Sequence, residues 1–276
     1  MKLVMTLLVR DEQDIIAEVL DYHLAQGVDE VIVTDNGSED ATLDILREYE
    51  ARGVVRIILE PSDDYSQGKW VTRMARMAAS ELGADWVINS DADEFWWPRS
   101  GTLASTFEGL DDATGVVVAR RTNFVPQPED DQPFWERMTV RERESLNPVG
   151  KPLPPKLAHR GHPEVTVVQG NHRLRGPELG DRLDDGTVEI LHFPMRSYAQ
   201  FENKIVKGGQ AYARNRELPE KVGRTWRHLY EVWEQGGLPA HYEESVVSDS
   251  SRDDLVEDTR LRDYLRELRL GAATTE

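Results

Sequence analysis

Short apolar runs alternate with amphipathic stretches through the first hundred residues. Residues 3–9 are a continuous apolar run but for Thr6, the pattern of a strand buried on both faces. Ile15, Ile16, Val19, Leu20 and Leu24 then recur at helical spacing, and Gly27 stands where a C′ glycine ends a helix. Residues 31–33 predict the next strand. Leu43, Ile45, Leu46 and Tyr49 predict the next helix, which Gly53 closes, and residues 54–59 predict a third strand. A polar loop over 61–68 leads to a helix over about 69–82, ended by Gly83, and Trp86, Val87 and Ile88 form a fourth buried strand. This βαβαβαβ order predicts an α/β fold, a Rossmann-like and mostly parallel sheet with helices on both faces.

Beyond Pro98 the pattern loosens. Residues 116–119, 165–168 and 188–191 read as short strands, and the proline-rich stretches 126–133 and 151–155 as exposed loops. Phe201, Ile205 and Val206 mark a helix over about 197–216, and Leu229, Val232 and Trp233 mark another. Ser251-Arg252-Asp253-Asp254 resembles a capping box, followed by an apolar stripe of Leu261, Tyr264, Leu265 and Leu268. The expected organisation is one domain over 1–220, with a regular half (1–98) and a less regular half (99–220), and a C-terminal helical extension over 221–276.

The chain carries 51 acidic and 33 basic residues, a formal charge of −18, which argues against nucleic acid or an anionic membrane as partner. It has no cysteine, so thiolate chemistry and a disulfide framework are excluded, in keeping with a cytoplasmic setting. No apolar run approaches the length of a membrane span, and the opening residues read as a first strand rather than a signal peptide.

Candidate chemistry gathers at the predicted strand ends. The fourth strand runs into Asp91, Asp93 and Glu94, and residues i and i+2 of an extended chain face the same way, so Asp91 and Asp93 can converge. Two adjacent carboxylates suit a hard divalent ion, Mg²⁺ or Mn²⁺, that also takes phosphate oxygens. A bare Asp-x-Asp reads equally as a solvated acidic turn. In a parallel sheet Arg10 and Glu12 end the first strand on the same edge, and Asp35-Asn36-Gly37-Ser38 ends the second. Gly37 permits close approach of a ligand to the backbone, and Asp35 offers an acceptor to a base or ribose. Lys69 and Arg73, one helical turn apart, can reach a diphosphate or simply face solvent. Arg196, Lys204 and Lys207 are further cations for a phosphate clamp. His192 and His172 are each either a ligand-facing or a structural imidazole, while Trp96 and Trp97 read as core or wall residues.

Four blocks in order resemble the family-2 glycosyltransferases of GT-A fold: Val9-Arg10-Asp11-Glu12 with Ile15, Asp35-Asn36-Gly37-Ser38-Glu39-Asp40, Asp91-Ala92-Asp93-Glu94-Phe95, and His192-Phe193-Pro194-Met195-Arg196-Ser197 with Phe201 and Lys204. The resemblance implies inverting transfer from a nucleotide-sugar donor, with a UDP-sugar favoured, to a small-molecule or glycan acceptor. It implies that Leu8, Arg10, Glu12, Asp35, Asn36, Gly37, Asp91 and Ala92 line the donor pocket. Asp91, Asp93 and His192 are then the metal ligands. The catalytic base is left open among Glu164, Glu94, Asp130 and His172, with Glu164 favoured because it precedes the 165–168 strand on the acceptor side. Two rivals stand beside this reading: a metal-dependent phosphohydrolase or nucleotidyltransferase, and a GT-A-shaped binding protein without turnover. The first strand–helix junction lacks the glycine fingerprint of a dinucleotide site.

Overall fold

The structure is a computed structural model and describes residues 1–62, 66–146, 150–215, 222–248 and 252–273. Its elements in chain order are β1 (Leu3–Val9), α1 (Ile16–Ala25), β2 (Glu30–Asp35), α2 (Thr42–Ala51), β3 (Val55–Leu59), α3 (Gln67–Ser80), β4 (Trp86–Asp91), β5 (Glu94–Pro98), α4 (Leu103–Glu108), β6 (Thr114–Asn123), α5 (Phe134–Arg137), β7 (Val140–Glu142), β8 (Lys156–Arg160), β9 (Thr166–Val167), a 3-10 turn (Gln169–Asn171), β10 (Leu174–Arg175), β11 (Asp181–Leu183), β12 (Val188–His192), α6 (Tyr198–Arg214), α7 (Arg224–Glu234), α8 (Leu238–Ser245), β13 (Leu255–Glu257) and α9 (Arg260–Ala273). They form two compact units: Met1–Arg121 with Leu146–Leu191, and Thr122–Ser145 with His192–Glu276. The boundary expected near residue 220 falls outside the described residues.

In the first unit the main sheet runs β3-β2-β1-β4-β8-β6-β12-β5, with β11 beside β6. β3, β2, β1 and β4 are parallel, as the alternation predicts, and β8 then pairs antiparallel with β4 and β6. β1 is central in the parallel part and buried along its length, so its continuous apolar run is what that position demands. Its one polar side chain, Thr6, is matched across the ladder: its hydroxyl donates to Asn89 Oδ1 at 2.9 Å. Val71, Met74, Ala75 and Ala78 place one stripe of α3 on Val4, Ile32 and Val87. Gly27 ends α1 at φ +88, and a Cβ there would stand 2.5 Å from the Ala104 methyl.

In the second unit α6, α7 and α8 pack around Phe201, Ile205, Leu229, Leu238 and Tyr242. Gly208 and Gly209 give α6 a flat face, against which the rings of Trp226 and Tyr230 lie. β7 and β13 pair antiparallel.

The structure corrects four expectations. β8 and β5 are strands that the pattern does not announce, and β6 is longer than 116–119. Residues 91–94 are not extended: Ala92 and Asp93 form a turn between β4 and β5, so the spacing argument for convergence of Asp91 and Asp93 does not apply. The last helix starts at Arg260, not after a cap at 251–254. β13 intervenes, and Ser251, like residues 63–65 of the polar loop and Arg216, lies outside the described residues. The stripe itself is correctly read, with Leu261 and Leu265 buried.

Candidate active site

The parallel register fixes the frame. Val9 pairs with Asp35 on one side of β1 and Leu8 with Asp91 on the other, so the two acids flank the end of β1. Two strand spacings put their backbones about 10 Å apart. The Arg10–Glu12 turn and the loop after β2 are laced together at this edge. Asp11, at φ +54, donates its N–H to Ser38 Oγ (3.0 Å) and accepts from the Glu39 N–H (2.7 Å). Glu12, largely buried, takes its N–H to Thr42 Oγ1 (2.8 Å), and its carbonyl starts α1. Asn36 is a tie rather than an open group: its amide donates to Glu60 O (3.0 Å) and Ser62 O (2.6 Å).

Asp35 is only 3% exposed. One carboxylate oxygen accepts from the N–H groups of Gly37 and Ser38, both at 3.1 Å. The other oxygen has no hydrogen-bond partner. An unsatisfied buried carboxylate oxygen is costly and calls for a donor from a ligand.

Asp91 keeps 32% of its side-chain surface open, yet its oxygens are firmly held. Oδ1 accepts from Gln67 Nε2 (3.2 Å) at the start of α3 and from Asn171 Nδ2 (3.1 Å) in the 3-10 turn. Oδ2 takes the ammonium of Lys156, which opens β8. The same ammonium lies 3.4 Å from Glu94 Oε1, and Arg121 approaches that oxygen at 3.6 Å. Glu94 Oε2 accepts the Asp91 N–H at 3.1 Å. Burial pushes the Asp91 carboxyl upward, but Lys156 prevails and holds it below the usual carboxylate range. For Glu94, fully enclosed, burial outweighs Lys156 and carries the carboxyl up to about 7.

Asp93 is 4% exposed, and one of its oxygens comes within 4.8 Å of one of Glu94's. The expected metal pair is thus rearranged: Asp93 meets Glu94, while Asp91 is drawn to Lys156. His192 ends β12. Asn123 donates to Glu142 Oε2 (3.1 Å), which turns its Oδ1 to the His192 Nδ1–H (2.7 Å), so that Nε2 is the nitrogen which the neutral ring would offer to a metal.

The remaining candidates separate. His172 follows the 3-10 turn, half-buried, and gives its Nδ1–H to Pro155 O at 2.9 Å. Burial, with Lys156 and Arg121 adding to it, lowers its pKa to about 4. Glu164 is not at the carboxyl edge, which corrects the leading expectation for the base. Arg76, nine residues along α3 from Gln67, donates to Val165 O (2.8 Å) and Glu164 O (3.5 Å), so Glu164 sits about 13 Å down that helix from Asp91's partner. Arg73 is paired with Glu60 at 3.2 Å, and Lys69 is exposed on the first turn of α3. In the second unit Arg196 is a core residue, 1% exposed, donating to Phe193 O (3.1 Å) with Phe134 alongside. Lys204 stands over the Trp226 ring, and Asp130 accepts from the Gln132 N–H on the surface. Trp96 is buried and Trp97 stacks on Tyr22, both as wall residues.

Lys156, Gln67, Asn171 and Arg121 are the site residues that the sequence reading misses. Their one signal was a lysine directly after Pro154-Pro155, at a strand start.

The family model described as glycosyl transferase family 2 matches residues 7–157, more than half of the chain. The chain belongs to this family and is a glycosyl-transferring enzyme. Among solved structures it is similar to Staphylococcus aureus TarS 1-349 in complex with UDP, at 15% identity over 98% of this chain and 87% of that one, TM-score 0.44. The same protein in complex with UDP-GlcNAc gives 13% identity over 84% and 72%, TM-score 0.46. Glucosyl-3-phosphoglycerate synthase from Mycobacterium tuberculosis, with Mn²⁺ and UDP, gives 21% identity over 44% of each chain, TM-score 0.31. At these scores the assignment rests on the family match. No curated protein matches.

Proposed function

We propose that this transferase uses a nucleotide sugar, with a UDP-sugar as donor, and inverts the configuration at the anomeric carbon. The observation that carries the reading is the pair of acids flanking the end of β1. Asp35 presents one unsatisfied oxygen, suited to an imide N–H of a pyrimidine base. Asp91, about two strands away, presents an open, fully ionised carboxylate to ribose hydroxyls. Arg10 ends the strand between them.

Two buried carboxylates side by side suit a hard cation, and Asp93 and Glu94 fit that description; Glu94 Oε1, which accepts no hydrogen bond, lies near Lys156 and Arg121. Asp93 would hold Mg²⁺ or Mn²⁺. When bound, such an ion neutralises charge growing on a departing diphosphate. The acceptor hydroxyl attacks C1, the bond from C1 to the phosphate oxygen breaks, and the nucleoside diphosphate leaves with the electron pair. Of the groups nominated as base, His172 fits best: it lies beside Asn171 and stays neutral at assay pH with Nε2 as its acceptor nitrogen. Glu94 is enclosed and Glu164 is remote. The phosphohydrolase reading loses support from Asp11, the acid at the end of β1, whose carboxylate caps the Glu39 N–H rather than facing out as a nucleophile.

The test is a thermal-shift panel of UDP, GDP and dTDP with and without Mn²⁺. Stabilisation by UDP that grows with Mn²⁺ is expected, because a ligand that binds only the folded chain raises its Tm. No shift with any of the three discards the reading.

A further inference from the structure

Asp91 is already occupied on its inner side. Lys156, 1% exposed, places its ammonium on Asp91 Oδ2 and 3.4 Å from Glu94 Oε1. A lysine this deeply enclosed persists only where carboxylates compensate its charge. With Arg121, it sets two fixed cations against the three carboxylates Asp91, Asp93 and Glu94. Gln67 and Asn171 hold the second oxygen of Asp91, and their own placement is built in. Gln67 Oε1 accepts the Gly170 N–H (2.8 Å), and Gln169 Oε1 accepts the Gly68 N–H (2.9 Å), tying α3 to the 3-10 turn. Asn171 sits at φ +61, a conformation that non-glycine residues adopt rarely and at a cost. Three independent elements, α3, the 3-10 turn and β8, thus converge on one carboxylate.

We propose that Lys156 is a resident counter-ion of the donor site. It takes up Asp91 and Glu94, and fixes Asp91 in its ligand-facing orientation before a divalent ion arrives. Lys156 acts through Asp91 and is a positioning residue. The inference rests on the donor-site reading above. It follows that the nucleoside half of the pocket forms without metal, and that Lys156 and the divalent ion share one task. Removing the lysine makes nucleotide binding depend on the ion.

The experiment measures UDP affinity by calorimetry for the full chain, in EDTA and in Mn²⁺, for wild type, K156R and K156M. Wild type binds UDP in both conditions, more tightly with Mn²⁺. K156M loses at least about tenfold in EDTA, as expected when one unit charge is withdrawn a few ångströms from a carboxylate, and distinctly less in Mn²⁺. K156R retains the wild-type ratio. A merely structural lysine lowers both affinities equally, so an equal loss, or none, overturns the proposal. If K156M does not fold, K156Q replaces it, and R121Q, which faces Glu94 from a more open position, must move the ratio in the same direction by less. If wild type binds no UDP in either condition, the donor-site reading fails. If wild type binds and the ratio in the variants is unchanged, only the role of Lys156 fails.

Discussion

Acid should unfold this protein through histidines that the fold keeps neutral, and His23 shows why. It lies on α1 with no exposed surface, its ring parallel to Phe95. Its Nδ1–H donates to Val19 O at 2.7 Å, and its Nε2 accepts the Trp96 N–H at 3.2 Å. Both nitrogens are thereby committed to the neutral tautomer, and a second proton would set two donors against each other. Burial lowers its pKa from 6.5 to about 4, with the Val19 carbonyl offsetting only part. The unfolded chain therefore takes the proton first. Stability from this group is complete above pH 6.5 and is lost as pH falls through the window from 6.5 to about 4. A gap of about 2.5 pH units corresponds to about 3.4 kcal/mol in full, of which about 2 kcal/mol goes between pH 7 and pH 5. His159, buried with its Nδ1–H on Arg160 O, has its pKa lowered to about 4 in the same way and adds a similar amount. The assay is urea unfolding at pH 7, 6 and 5 for wild type and H23Q, which keeps a donor and an acceptor but never ionises. H23Q starts less stable and loses about 2 kcal/mol less than wild type over that interval. Parallel losses in the two proteins would refute the argument.

Three further outcomes follow from single contacts. T6V keeps the shape of the side chain but strands Asn89 Oδ1 inside the sheet, and should cost about 1–3 kcal/mol in urea unfolding without altering nucleotide affinity. G208A drives a methyl to 2.4 Å from the Trp226 ring, so it should push α7 off α6, destabilise by about 1–3 kcal/mol and red-shift tryptophan emission; an unchanged spectrum and Tm would show that the helices part freely. D35N removes a buried charge with an unsatisfied oxygen, so Tm should hold or rise while UDP affinity falls at least about tenfold by calorimetry.

The first half of the chain was readable because its parallel strands are covered by neighbours of one chemistry, fully at β1, β2 and β4 and partly at the edge strand β3. Residues 3–9, 31–33 and 86–88 are apolar, Thr6 apart, where the parallel sheet is dry, the edge strand β3 keeps an apolar run around Arg56, and Gly27, Gly53 and Gly83, all at positive φ, punctuate them. Ordered strands put Asp35 and Asp91 on one edge, so half of the candidate site was also visible. The other half was not. β8 reads Lys-Leu-Ala-His-Arg, with polar residues at three of five positions, and no alternation marks it as sheet. His159 is fully buried there as a neutral ring, and Lys156 as a charge, both against the ordinary preference of their residue types.

That failure has a physical cause that extends beyond one strand. Local patterning reports the mean environment of a segment, whereas Lys156 is buried because Asp91, 65 positions earlier, and the enclosed Glu94 offer it carboxylates. Burial works against both carboxylates that share this lysine; in the enclosed Glu94 it prevails and the carboxyl rises to about 7, while in Asp91 the Lys156 contact prevails and the carboxyl falls. The spacing of Asp91 and Asp93 suggested two equivalent ligands on one face. The turn at Ala92 and Asp93 gives them unequal neighbours instead: an internal cation for the first, and a second acid, Glu94, for the second. An acidic triplet at a strand end therefore says that positive charge must come from somewhere, and only the antiparallel strand laid beside it shows how much of that charge the chain supplies itself.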